Sequence, residues 1–269
     1  MRLDKFICKS TELTRNEAKS LLKRGEVRVN DEVIKNPSTQ VHENNTITVD
    51  GTPLVARTSR YIMFHKPLDC ICSNVDENHP SLLHFIDIDK AFDLHIAGRL
   101  DVDTTGLVLI TDDGRWSHDI ISPKKHCPKI YRVSLKYPLK DDTIEQFKQG
   151  VQLQGEATLT KPANLSIVTE GKYVEGKHVE DKDVEDITVV LLTITEGKYH
   201  QVKRMFAAVG NKVVGLHREQ IGEIALDSEL AQGQWRYLSE QEVNSVTCSM
   251  TCSVTSSAIS AVKQNKNSG

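Results

Sequence analysis

At 269 residues the chain has room for one small module and one medium domain with a core of its own. Its 38% hydrophobic and 26% charged residues are an ordinary globular composition. No run approaches the roughly 18 apolar residues of a membrane span, and the polar, charged first residues do not read as a secretory signal, so a cytoplasmic location is expected. The net charge of −3 hides an asymmetry: residues 1–60 carry eleven Lys/Arg against eight Asp/Glu, whereas residues 170–186 carry seven acids against three lysines. Affinity for phosphate must therefore come from local patches rather than bulk charge.

The first such patch is amino-terminal. Thr14 followed by Glu17 has the spacing of a capping box, Ala18, Leu21 and Leu22 recur at helical spacing, and Gly25 stands where a helix stops. Val27 and Val29 alternate with charged residues toward Asn30-Asp31, which predicts a small hairpin. The product is a basic face of Arg15, Lys19, Lys23 and Arg24 on a helix with Arg28 on the following strand, which by itself reads first as a solvated surface. Asp50-Gly-Thr-Pro53 through Ser59 reads as a linker, giving a module over 1–52, a linker over 53–60 and a second domain over 61–246.

Within that second domain, strand-like runs are expected at 61–65, 107–111, 130–135 and 187–195, the last as a central strand, and His200–Val209 has helical spacing ending at Gly210. Cys70-Ile-Cys72 reads as part of a strand with its two thiols on opposite faces. The near-repeat of 170–186 suggests a hairpin tip or disordered insertion, and the Ser/Thr-rich stretch 247–269 a mobile tail.

Chemistry concentrates in Gly98-Arg-Leu-Asp-Val-Asp-Thr-Thr-Gly106, ahead of the apolar run Leu107–Ile110. Asp101 and Asp103 sit on a loop entering a buried strand, a place where catalytic groups are often mounted, although aspartates also serve such turns by accepting backbone N–H bonds. The six cysteines are scattered without metal-ligand doublets and are taken as reduced and structural. The ten histidines lack ligand spacing, and for His200 and His217 a structural role is preferred over contact with a binding partner. Neither Gly98 nor Gly106 belongs to a dinucleotide or phosphate-loop pattern, so no metal, nucleotide or redox cofactor is expected.

Five segments together resemble the pseudouridine synthases, and the resemblance covers about residues 1–246. Gly98-Arg-Leu-Asp101 resembles the signature carrying their nucleophilic aspartate, Arg60-Tyr-Ile-Met-Phe-His-Lys-Pro67 the strand preceding it, Lys129-Ile-Tyr-Arg-Val133 the strand bearing a base-stacking tyrosine, and Glu196-Gly-Lys-Tyr-His-Gln-Val-Lys-Arg-Met205 the late basic motif. The amino-terminal segment, from Arg2 and Lys5 through Arg28, resembles an S4 RNA-binding module. Gly-Arg-Leu-Asp in place of His-Arg-Leu-Asp, with Thr104-Thr-Gly-Leu-Val-Leu and Thr111-Asp-Asp-Gly-Arg-Trp-Ser-His118, is most similar to the RsuA family.

That resemblance implies an α+β fold: an S4-like module on a catalytic domain with a mixed, mainly antiparallel sheet and a cleft across its middle. It implies isomerisation of a uridine, uridine 516, in small-subunit (16S) ribosomal RNA, the partner being that RNA or a partly assembled small subunit and the enzyme a monomer. Asp101 takes the catalytic role at the ribose, Tyr131 stacks on the everted uracil, Arg99 fills the vacated stack or holds a phosphate, and Lys203 keeps Asp101 ionised, with Arg204 as the fallback cation. Lys66-Pro67 is structural support. RNA binding falls to Arg2, Lys5, Arg15, Lys19, Lys23, Arg24 and Arg28.

Three other readings stand beside it. A synthase for large-subunit RNA shares every catalytic residue; a non-catalytic RNA-binding assembly factor tolerates loss of Asp101. A hydrolase pairing Asp101 with Asp103 is disfavoured on the expectation that acids two apart on an extended segment diverge.

Overall fold

Thr14 and Glu17 close the capping box their spacing predicts: the Glu17 backbone N–H donates to Thr14 Oγ1 at 3.4 Å and the Thr14 N–H to Glu17 Oε2 at 2.7 Å. In the computed structural model, which describes residues 1–42, 44–168 and 188–248 (backbone only for 247 and 248), the chain divides into two units, Met1–Ser59 and Arg60–Gly269. The 170–186 insertion and the tail beyond Cys248 lie outside the described residues.

In the first unit, α1 (Leu3–Ser10) and α2 (Arg15–Arg24) pack Leu3, Ile7, Ala18 and Leu22 against Val27, Val41 and Ile47. Gly25, at φ 81°, ends α2 by donating its N–H to the Leu21 and Leu22 carbonyls. The strands β1 (Val27–Val29), β2 (Glu32–Val33), β3 (Ile47–Val49) and β4 (Thr52–Pro53) form a sheet in the order β2-β1-β3-β4. Asn30 and Asp31, both at positive φ, make the expected β1–β2 turn. The linker reading needs correction at its start: Asp50 and Gly51 are also at positive φ and turn β3 into β4, with Val49 opposite Thr52. Asp-Gly between two extended residues is itself a hairpin signal.

The second unit continues through β5 (Tyr61–Lys66), β6 (His95–Ala97), β7 (Thr105–Thr111), α3 (Gly114–Ile121), β8 (Lys129–Leu135), α4 (Thr143–Gln149), β9 (Asn164–Ile167), β10 (Thr188–Ile194), α5 (Gln201–Ala208), β11 (Val213–Ile221), β12 (Ile224–Ala225), β13 (Trp235–Tyr237) and α6 (Glu240–Cys248). Among the described residues these make a nine-stranded mixed sheet, ordered β13-β5-β7-β11-β8-β10-β9 with β6 on β7 and β12 on β11. Among the described strands of this sheet only the β7–β11 pairing is parallel. The 187–195 run forms β10 as expected but is not central, since it lies one strand in from the β9 edge. Val190, Leu192 and Ile194 bury one face of it, while on the other Val189 is buried and Leu191 and Thr193 are half-buried, a pattern that a position next to an edge also permits.

Alternation sorts the core into two layers. Ile62, Phe64, Val108 and Ile110 join Phe147 of α4 and Val202, Met205 and Phe206 of α5 on one face, while Met63, Leu107 and Leu109 join Trp116 and Ile120 of α3 and Val246 of α6 on the other. Cys70 and Cys72 lie in the first of these layers together, not on opposite faces. Residues two apart on an extended segment share a face, and this segment is a turn after Asp69, at φ 61°, rather than a strand.

β7 sets up the site. One edge is paired with β5 throughout; the other is shared, β11 taking Thr105–Gly106 and β6 taking Leu109–Thr111. The loop from Gly98 to Thr104 leaves β6 and re-enters the sheet as β7 at its β11-paired end, two residues before that edge changes partner.

Candidate active site

Register aligns a row of four residues across the sheet. Lys66 of β5 and Arg218 of β11 both lie opposite Gly106, and Arg218 lies opposite Tyr131 of β8. Gly106 is required there: at φ +110°, a Cβ on it meets the Arg218 carbonyl oxygen at 2.3 Å and nitrogen at 2.5 Å. The missing side chain lets two buried cations flank one strand.

Those cations clamp the loop. Arg218, fully buried, donates Nη2 to the Gly98 carbonyl at 2.8 Å, Nη1 to the Arg99 carbonyl at 3.4 Å and to the Tyr131 hydroxyl at 3.3 Å, and Nε to the Leu107 carbonyl at 2.8 Å. Lys66, equally buried, donates Nζ to the carbonyls of Pro67 at 2.9 Å, Val102 at 3.3 Å and Thr104 at 2.9 Å. Desolvation pulls the Lys66 pKa below its ordinary value. Between the clamps, the Leu100 N–H donates to Cys72 Sγ at 3.3 Å, the Asp69 N–H to the Val102 carbonyl at 3.1 Å and the Thr104 N–H to the Asp101 carbonyl at 3.1 Å. The loop is fixed almost entirely through its backbone, which leaves the carboxylates free to face outward.

Asp101 keeps 27% of its side chain exposed, and Lys203 of α5 donates Nζ to its Oδ2 at 2.9 Å and to Asp103 Oδ1 at 2.5 Å. The expectation that the two aspartates diverge is therefore wrong. The turn between Asp101 and Thr104 swings both carboxylates onto one ammonium, as alternation already favoured. Burial alone lowers the Lys203 pKa and raises that of Asp103, but their hydrogen bond reverses both, so the lysine is held above and Asp103 below its ordinary value. The cation and Asp103 are thus both charged near neutrality.

His200, taken as structural on sequence, instead has Nε2 3.4 Å from Asp101 Oδ1. Arg204 is not a partner of Asp101: its guanidinium donates to Glu156 Oε1 at 3.2 Å and to the Tyr199 and Gln154 carbonyls at 3.0 and 2.7 Å. Tyr131 is 7% exposed, its hydroxyl on Arg218 and its ring at the edge of the core. The Arg99 side chain is exposed. Arg218 itself escaped the sequence reading, because one arginine in a nine-residue strand looks like an ordinary outward cation; Gly106 inside a strand was the signal that another backbone comes close.

In the first unit, Arg15, Lys19 and Lys23 are exposed. Arg2, Arg24 and Arg28 are exposed too, each with a partner within the unit: Arg2 pairs with the buried Asp4 at 2.8 Å, Arg24 bonds both carboxylate oxygens of Glu26, and Arg28 donates to the Asp31 carbonyl at 2.7 Å. Lys5 is half-buried.

Comparison with known proteins decides the family. Residues 60–208 match the RNA pseudouridylate synthase family and residues 1–47 the S4 domain. The chain is 50% identical over 246 residues to the ribosomal small subunit pseudouridine synthase A of Vibrio cholerae, covering 91% of this chain and 99% of that protein. The chain belongs to the RsuA family of pseudouridine synthases. The same-named protein of Escherichia coli is 49% identical over 247 residues, covering 91% of the synthase and 100% of its relative. A solved structure described as a pseudouridylate synthase superposes with a TM-score of 0.61 at 43% identity, covering 91% and 99% of the two chains. The expected S4-like module and mixed, mainly antiparallel catalytic sheet are both present. Among the described residues no helix is long and apolar enough to cross a membrane, and no three His, Cys, Asp or Glu side chains cluster as a metal site.

Proposed function

We propose that the synthase isomerises one uridine of small-subunit ribosomal RNA, uridine 516, with Asp101 acting at the ribose. The observation that carries this reading is the Lys203 ammonium shared by the Asp101 and Asp103 carboxylates on a loop clamped through its backbone. The names of the relatives support the substrate class.

Uracil must leave C1′, turn and rejoin the ribose through C5, and within folded RNA those atoms are covered. The nucleotide is therefore everted, at a cost of a few kcal/mol unless it is already unpaired. The Asp101 carboxylate either attacks C1′ as uracil leaves, giving a ribosyl ester whose bond breaks when C5 of the rotated uracil attacks C1′, or removes the C2′ proton to give a glycal that takes a proton back at C2′ as C5 adds; in both routes the C5 proton is then lost and N1 of the uracil ends protonated. Lys203 supports the ionised carboxylate. A rigid loop suits this work because its donors and charges need not reorganise as the reaction proceeds.

Tyr131 offers its ring to the everted base and its hydroxyl, held by Arg218, toward the proton leaving C5. Arg99, exposed beside Asp101, reaches the vacated stack or a phosphate. Arg15, Lys19 and Lys23 of the S4 domain supply sequence-independent phosphate contacts. The synthase works as a monomer in the cytoplasm, on naked RNA or on an assembling small subunit, without a cofactor.

The test is pseudouridine mapping in ribosomal RNA from cells lacking the protein, complemented with wild type or Asp101→Asn. Only wild type should restore the modification at position 516, while the purified variant binds RNA within a few-fold of wild type. Restoration by Asp101→Asn removes the catalytic assignment; loss at a large-subunit position instead moves the substrate.

A further inference from the structure

Among the described residues Tyr199 is the most exposed tyrosine of the catalytic unit, at 76%, and it stands at the rim of the site. Its ring stacks on that of His200, with centroids 3.8 Å apart and planes 19° from parallel, and His200 in turn reaches Asp101. One face of the phenol is covered by the imidazole and the other is open to solvent. An aromatic so little buried contributes little to the core, yet the backbone bends to display it: His200 adopts φ 47°, a left-handed conformation that is strained for any residue with a Cβ.

The turn is also held rigid. Arg204 donates to the Tyr199 carbonyl and to Glu156, Lys198 donates to the other Glu156 oxygen at 3.1 Å, and Gln201 receives the Lys198 N–H at 2.8 Å while donating to Glu196 at 2.9 Å. Lys198 and Arg204 together keep the Glu156 carboxyl below its usual range, so the clasp is charged at neutral pH.

We propose that the Tyr199–His200 stack is a nucleobase subsite, taking the base that flanks the everted uridine in the RNA strand. This rests on Asp101 marking the position of the target ribose. Eversion removes a stacking partner from the neighbouring base, and a rigid π-face beside Asp101 replaces it without sequence preference. Because the ring is already immobilised, little conformational entropy is lost when the base arrives.

The experiment is a binding cycle with the full-length protein and a small-subunit RNA fragment spanning the target uridine, made intact or with an abasic site immediately 5′ or 3′ of it. All proteins carry Asp101→Asn so that no turnover intervenes. Tyr199→Ala should weaken binding of intact RNA about tenfold, within the range for loss of one base–aromatic stack, and Tyr199→Phe by less than about twofold. One of the two abasic RNAs should bind the Tyr199-containing protein about tenfold more weakly and be indifferent to Tyr199→Ala. Equal losses on all three RNAs, or no loss on any, overturn the subsite. Turnover of Asp101→Asn itself, measured on intact RNA alongside, tests the catalytic assignment separately.

Discussion

Arg218 stands directly across the sheet from Gly106, and its buried guanidinium holds the Gly98 carbonyl at 2.8 Å, three residues ahead of Asp101. One side chain thereby couples β11, the start of the catalytic loop and the Tyr131 hydroxyl. Arg218→Lys keeps a charge but loses the planar fork, and with three donors against four acceptors at least one of the Leu107, Arg99 and Gly98 carbonyls and the Tyr131 hydroxyl goes unpaired. A cost of about 2–4 kcal/mol in urea unfolding is expected, together with a single-turnover rate reduced more than RNA affinity. A variant as active as wild type shows that the loop is held adequately without the fork.

Gly106 and Gly98 separate close approach from backbone strain. Both have positive φ, but a Cβ on Gly98 meets only the tips of the Arg218 guanidinium at 3.8 Å, whereas on Gly106 it collides with Arg218 backbone. Gly98→Ala should cost about 1–2 kcal/mol, and Gly106→Ala more than about 4 kcal/mol or the soluble fold itself. Similar thermal stabilities for the two variants contradict the close packing of β7 on β11.

Lys203 joins two carboxylates, so neutralising it leaves them facing each other. Lys203→Met should reduce the rate about 10²–10³-fold, comparable to loss of a preorganised electrostatic partner, while Lys203→Arg retains part of the activity because the charge persists in different geometry. The raised pKa of the lysine contributes stability that is complete below its ordinary value of 10.5 and lost only as pH rises through the higher folded value. Activity should accordingly show no loss attributable to Lys203 below pH 10; a basic limb near neutrality that disappears in Lys203→Arg argues against the assignment.

Much of this was legible in the sequence, for identifiable reasons. The capping box at Thr14, the Asn30-Asp31 turn and the apolar run ending at Ile110 are local signals, and local structure obeys them. Asp101 and Lys203 came from the resemblance of two motifs about a hundred residues apart to those of the synthases, not from spacing, which left Asp101 still readable as a turn residue. Arg218 and His200 did not emerge, because their importance lies in which backbone or carboxylate the fold brings opposite, and that depends on strand order. The misplacement of β10 as central has the same origin: a β-rich run announces a strand but not which strands flank it.

Cysteine reactivity tests the packing of the loop support. Burial pushes the Cys70 thiol up to about 11 and also raises Cys72 and Cys127. Since the thiolate is the nucleophile, iodoacetamide at pH 8 should leave all three unmodified in the native protein and modify them in urea, as read by peptide mass spectrometry. Rapid native labelling of Cys72, whose sulfur receives the Leu100 N–H, reveals a loop that opens.

Glu242 makes the docking of α6 sensitive to acid. Arg236 of β13 donates to both of its oxygens, at 2.9 and 2.8 Å, and to Asp227 at 2.7 Å, while Trp116 Nε1 donates to the Val243 carbonyl at 3.0 Å. The Arg236 hydrogen bonds bring the Glu242 carboxyl from 4.5 down to about 2. A depressed folded pKa means that its stabilisation is present above pH 4.5 and fades as pH falls toward 2. With solvent screening taken into account, Glu242→Gln should cost about 1–2 kcal/mol at pH 7. In urea titrations the gap from wild type should narrow steadily below pH 4.5; a gap that stays constant to pH 3 assigns the effect to packing of α6 on α3 instead of to charge.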